Sequence, residues 1–203
     1  MVVAFSVLVG VVPLLALGRL AAGDPASTLA ALVPAVQLGL PLVVKPNEAG
    51  SSVGMSIVKS AGAIAAAVEK AFAHDDTILL ERYVEGIELT GGVIGNRELL
   101  ALPLIEIIPD KSHEFFDYEA KYTAGVTQEI CPARIDEDLT EKARTYAVTA
   151  HEVLGCRGYS RTDLMLKGRD LFVLETNTIP GMTATSLFPQ AAAAAEPRVA
   201  ERS

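Results

Sequence analysis

Positive charge is in short supply in this chain. Its 203 residues carry 17 Lys and Arg against 25 Asp and Glu, a formal net charge of -8. A nucleic-acid backbone is bound chiefly by clustered Lys and Arg, so a nucleic-acid partner is excluded, and an anionic ligand has to be met by lysines placed locally. Cysteine is scarce as well. Cys131 and Cys156 are 25 residues apart and belong to no metal-spaced cluster, which reads as buried thiols of a reduced cytosolic protein. His74, His113 and His151 are scattered and take no role. No Lys or Arg precedes Arg19, so the opening run MVVAFSVLVGVVPLLALG lacks the basic n-region of a signal peptide. Its length is marginal for a membrane span, and Gly10 and Pro13 interrupt it. A β-rich, covered start is favoured, with a membrane-associated start as the alternative. What remains is globular composition, 50% hydrophobic and 21% charged, enough for one or two modest domains.

Along the chain, Asp24-Pro25 has the character of an N-cap and first-turn proline, and the Ala/Leu-rich stretch to Gln37 predicts a helix kinked at Pro34 and stopped by Gly39. Leu42 to Lys45 and Gly54 to Lys59 predict two strands of a hairpin around a Gly/Ser-bearing loop. Ala61 to Ala73 predicts a helix on its Ile64, Val68 and Phe72 stripe. Strands are expected at 77–84, 88–94 and 99–107. Residues 109–130 read as one long loop rich in Phe, Tyr and Asp, a composition that favours function over disorder. Asp136 to Leu154 predicts a helix stopped by Gly155, and two closing strands, 159–166 and 171–176, are joined by Lys-Gly-Arg-Asp. Helices alternating with hairpins give an α+β class with mixed or antiparallel sheets and packed helices.

The strongest chemical signal comes late: Arg161-x-Asp163, Glu175-x-Asn177, then Pro180-Gly181-Met182-Thr183. Residues two apart on a strand share a face, so each pair points one way. Asp163 and Glu175 lie 12 apart around a turn centred on Arg169, and an odd-length loop sets them opposite each other. Two carboxylates and an amide oxygen then converge as a hard-oxygen set suited to Mg²⁺. The bland alternative is an exposed hairpin face with scattered charge. The second signal is Gly50-Ser51-Ser52-Val53-Gly54 behind Lys45-Pro46, where small residues let backbone N–H groups approach phosphate. Alone it is weak, because no Gly-Lys-Ser/Thr opens a helix as in a Walker loop.

Together these segments resemble the D-alanine-D-alanine ligases, of the ATP-grasp type, from about Val11 to Ala194. The strings that carry the likeness are GLPLVVKPNEAGSSVGMSIVK at 39–59, ERYVEGIEL at 81–89, FFDYEAKY at 115–122, CPA at 131–133, GYSRTDLML at 158–166 and LETNTIPGMTATSLFP at 174–189. The resemblance implies an ATP-grasp fold and ATP with two Mg²⁺ ions, or Mn²⁺ in their place. It implies Lys45 and Lys121 on nucleotide phosphates, Glu81 and the Val84 backbone on adenine, Tyr83 on the adenine face and Glu88 on the ribose. Ser51 and Ser52 would close over the phosphates, and Tyr122 would close the site with Ser51. Asp163, Glu175 and Asn177 would hold the metal ions, Arg161 and the Gly181 N–H would steady an oxyanion, and Ser186 and Leu187 would receive the second D-alanine's carboxylate. The implied division is an apolar start at 1–22, a first ATP-grasp subdomain at 23–95, a catalytic subdomain at 96–195 and a tail at 196–203.

Read this way, the chain joins two D-alanines into D-alanyl-D-alanine for peptidoglycan precursors. The expected setting is the cytoplasm, with no membrane partner and a homodimer left open. Tyr122 goes with an amine rather than a hydroxyl acceptor. The chain departs from the family in having no counterpart of its amino-terminal domain, including the acidic residue that grips the first D-alanine's ammonium group. The reading is therefore of a truncated or degenerate copy. Two alternatives stand beside ligation: a nucleotide-binding module without ligase activity, and another ATP-grasp carboxylate-amine ligase. Thr162 and Thr176 also replace apolar residues, and their hydroxyls need partners.

Overall fold

A computed structural model describes residues 3–5, 14–18, 37–49, 52–109 and 127–200, without the side chains of 3–5, 14–18 and 196–200. The described residues up to Val84 form one compact unit and those from Glu85 onward a second. Both are α+β, built on antiparallel strand pairs with helices packed on them, as an ATP-grasp fold requires.

The first unit contains β1 (Val3–Phe5), β2 (Leu14–Gly18), β3 (Leu42–Pro46), β4 (Ser56–Val58), a 3-10 turn at Ala61–Ala63, α1 (Ile64–Phe72) and β5 (Thr77–Arg82), with sheet order β1-β2-β5-β3-β4. The described parts of the apolar start, Val3–Phe5 and Leu14–Gly18, are strands, and no helix among the described residues is long and apolar enough to cross a membrane. β3 and β4 form the expected hairpin, with Leu42 opposite Val58. Ile64, Val68 and Phe72 recur every four residues and bury one face of α1 against Leu42, Val44, Ile78 and Leu80. Side chains alternate along a strand, so Lys45 and Glu81 are turned to the face of the sheet away from that core. The helix expected from Asp24 lies outside the described residues except for its end, where Gln37 and Leu38 are helical and Gly39 stops them at φ +76°.

The second unit contains β6 (Ile87–Gly95), β7 (Leu100–Ala101), β8 (Ile105–Pro109), β9 (Thr127–Ile130), α2 (Glu137–Val153), β10 (Gly158–Lys167), β11 (Asp170–Asn177) and α3 (Leu187–Ala200). The sheet order is β11-β10-β6-β8-β9, with β7 also paired to β6. α2 buries Leu139, Ala143, Ala147 and His151, one residue per turn, and its first two against Leu89, Leu104, Leu164 and Leu171. It ends in a Schellman arrangement in which Gly155 N–H donates to the Glu152 carbonyl and Cys156 N–H to that of His151.

Four expectations need correction. The single strand at 99–107 is two, β7 and β8, because Pro103 has no N–H to give the ladder. The loop assigned to 109–130 ends early in β9, which pairs with β8 at Glu106–Pro109. The run after Ser186, given no element from the sequence, is α3. Cys131 and Cys156 are free and half-buried rather than fully buried. Glu106 is buried on β8 yet ionised, because Arg134 caps both its oxygens at 2.9 and 3.0 Å and holds its pKa below the usual carboxylate value.

Candidate functional site

The hairpin of β10 and β11 sets up the main cluster. Its turn is the two-residue Gly168-Arg169, so from Lys167 and Asp170 the strands pair in regular order as far as Leu164 opposite Val173. Leu164, Leu171 and Val173 all face the core under α2. On an unbroken strand Glu175 would follow Val173 into that core. Instead the register shifts between Asp163 and Leu164, Leu174 is left as the extra residue, and Glu175 comes to lie opposite Asp163 and Asn177 opposite Arg161. The pairing expected from the sequence is present for a different reason: an even loop corrected by a bulge, rather than an odd loop.

Asp163 is at the centre and only 8% exposed. Arg161 grips it with a fork, Nε to Oδ1 at 2.9 Å and Nη2 to Oδ2 at 2.7 Å. The Thr90 hydroxyl donates to Oδ1 at 2.6 Å, and Asn177 Nδ2 donates to Oδ2 at 3.0 Å while also lying 3.4 Å from Glu175 Oε1. Burial works against the charge on Arg161, but the attraction of Asp163, backed by Glu175 and Glu88, outweighs it and holds the guanidinium pKa above its ordinary value. Thr162 and Thr176, on the opposite face of the same pair of strands, meet each other's need for a partner at 3.0 Å.

These residues suit a hard divalent cation, since two carboxylates and an amide on one sheet face offer only oxygen ligands. Among the described residues no three His, Cys, Asp or Glu side chains form a metal group, so an ion here would need Asn177 beside the two carboxylates. A carboxylate has about four lone-pair positions. Asp163 already accepts four hydrogen bonds, so a cation reaches it only where Arg161 or Asn177 gives way.

Beyond β11, Gly181 lies where a Cβ would stand 2.8 Å from Ser186 Oγ. That hydroxyl accepts from Thr183 N–H at 3.1 Å and meets Thr183 Oγ1 at 2.8 Å, just ahead of α3, whose first residue is the buried Leu187. In the first unit Lys45 Nζ pairs with Glu81 Oε1 at 2.9 Å, and Glu81 is 6% exposed rather than the solvated strand carboxylate its type suggests. Tyr83 N–H donates to the Pro41 carbonyl, and Val84 is buried. Ser52 has a left-handed φ of +59°, at a turn closed by Met55 N–H on its carbonyl. Gly54 admits no side chain there, since a Cβ would meet His74 at 2.6 Å and Pro46 at 2.8 Å. Ser51, Lys121 and Tyr122 lie outside the described residues.

Sequence reasoning missed Thr90. The signal was present, because Thr90 is two residues from Glu88 on β6 and therefore on the same face.

The model of the family described as "D-ala D-ala ligase C-terminus" matches residues 15–198. A D-alanine--D-alanine ligase of Syntrophobacter fumaroxidans is 62% identical over 159 residues, 78% of this chain and 51% of that protein. One from Desulfotalea psychrophila is 51% identical over 160 residues, 77% of this chain and 49% of that protein. The crystal structure of D-alanine--D-alanine ligase from Bacillus anthracis superposes with a TM-score of 0.75 at 33% identity, covering 93% of this chain and 58% of that one. The VanG D-Ala:D-Ser ligase from Enterococcus faecalis gives 0.75 at 34% identity, over 90% and 52%. The chain spans about half the length of the curated relatives it matches.

Proposed function

This chain belongs to the D-ala D-ala ligase C-terminal family, and from that premise we propose that it carries the nucleotide and metal chemistry of an ATP-dependent ligation of two D-alanines. The observation that supports this reading best is the bulge that turns Glu175 and Asn177 out of the core to stand before Asp163 and Arg161. A strand pair serving stability alone gains nothing from directing two carboxylates, an amide and an arginine onto one face.

A carboxylate is a poor acyl donor, because its leaving group would be an oxide. Transfer of the γ-phosphoryl group of ATP to the carboxylate oxygen of the first D-alanine gives an acyl phosphate and ADP. The amine of the second D-alanine then attacks that carbonyl, and phosphate leaves as the peptide bond forms. Asp163, Glu175 and Asn177 would hold Mg²⁺, which when bound neutralises phosphoryl charge. Arg161 has a permanent positive charge and, with the Gly181 N–H, would stabilise the tetrahedral oxyanion. Glu81 would meet the adenine amino group, and Lys45, which pairs with Glu81 at 2.9 Å, would turn its ammonium to a nucleotide phosphate. Ser186 and Leu187, ahead of α3, would receive the acceptor's carboxylate.

A second reading is Mg-ATP binding without ligation, since Lys45, Glu81, Asp163, Glu175 and Asn177, which the resemblance assigns to the nucleotide and the metal, are all among the described residues. Phosphate release from ATP by the purified chain, with and without D-alanine, together with assay of dipeptide, separates the two. Ligation predicts release that depends on D-alanine and matches dipeptide formed. Release indifferent to D-alanine, with no dipeptide, supports the binding module, and no ATP turnover or binding at all overturns both.

A further inference from the structure

Of the three side chains that hold Asp163, two have other work under the proposed function: Arg161 on the oxyanion and Asn177 on the cation. Thr90 has none. It lies opposite Asp163 in the pairing of β6 with β10, is 2% exposed, and makes the shortest of the four hydrogen bonds to the carboxylate, 2.6 Å to Oδ1. Among the described residues its only other acceptor, the Thr162 carbonyl, is 3.5 Å away, so the single hydroxyl proton goes to Asp163. Arg161 Nη2 and Asn177 Nδ2 both lie on Oδ2.

Resting on the metal-binding reading above, we infer that Thr90 is the positioning residue of the site: it anchors Oδ1 of Asp163 so that Oδ2 is the oxygen offered to a divalent cation when Arg161 and Asn177 move. The physical case is one of division of labour. A neutral hydroxyl fixes the carboxylate without competing for its charge, whereas a second cation at that place would weaken metal binding. β-Branching fixes Thr90 at χ1, so the anchor itself is stiff. Groups behind a ligand that set its orientation are typically worth about tenfold to a hundredfold in metal affinity.

The test compares Thr90→Val, which keeps the shape and removes the hydroxyl, with Thr90→Ser, which keeps the hydroxyl and removes a methyl. Mn²⁺ binding in the presence of ADP is read by the paramagnetic resonance of free Mn²⁺, and thermal unfolding is followed without metal. Thr90→Val is expected to weaken Mn²⁺ about tenfold or more, and Thr90→Ser to bind within about twofold of the parent. Equal Mn²⁺ affinity in Thr90→Val and the parent overturns the inference, as does a Ser variant as weak as the Val variant, which would make the effect one of packing. If neither Thr90→Val nor Thr90→Ala folds, the residue is structural and the inference fails. A parent chain that binds no Mn²⁺ with ADP instead sinks the metal reading itself.

Discussion

Each unit pairs a buried carboxylate of the candidate site with a cation, Glu81 with Lys45 and Asp163 with Arg161, and the two pairs are built differently. Glu81 meets Lys45 across neighbouring strands at one distance, 2.9 Å, with a flexible ammonium that turns easily to another partner. Asp163 is gripped from two residues away on its own strand by a planar guanidinium and is also held by Thr90 and Asn177. The first pair is a loose match that a ligand can open by displacing one contact. The second is a network in which each member limits the others, so a cation reaches Asp163 only by displacing Arg161 or Asn177, while Thr90 keeps the carboxylate in place.

Removing one carboxylate at a time is the severest trial of that contrast. Asp163→Ala leaves the Arg161 charge buried without its partner and is expected to lower stability by about 3 kcal/mol in urea unfolding. Glu81→Gln keeps a hydrogen-bond acceptor for Lys45, and its cost should be nearer 1 kcal/mol. Equal costs would break the comparison. The smallest effect concerns Thr162 and Thr176 behind the network. Thr176→Ala strands a buried hydroxyl and should cost about 1 kcal/mol, whereas the double change Thr162→Val with Thr176→Val removes both polar groups together and should be close to neutral. A double variant much weaker than the single one would mean that the hydroxyl pair, and not just its packing, supports the strand register.

Much of this was legible beforehand, and the failures have physical causes. The α1 stripe, the α2 stop at Gly155 and the shared faces of Arg161 with Asp163 and Glu175 with Asn177 all follow from local periodicity, which a sequence displays directly. The bulge at Leu174 does not, because a register shift is settled by the partner strand, and the parity of the Gly168-Arg169 turn alone gives the wrong alignment. Thr90 escaped notice because a threonine on a strand is ordinary until the strand opposite is known to be β10. The break at Pro103 could have been read from its missing N–H.

The central claim is that the β10–β11 face holds nucleotide through a divalent ion. Calorimetric titration of ATP into the chain with Mg²⁺, with EDTA, and with Mg²⁺ in Glu175→Ala tests it most directly, because Glu175 is half of the opposed carboxylate pair and is exposed enough that its loss leaves the fold intact. The account predicts binding in the first case and a loss of at least about tenfold in the other two, the size seen when a metal site loses a supporting group. ATP affinity that ignores both EDTA and Glu175→Ala would contradict it.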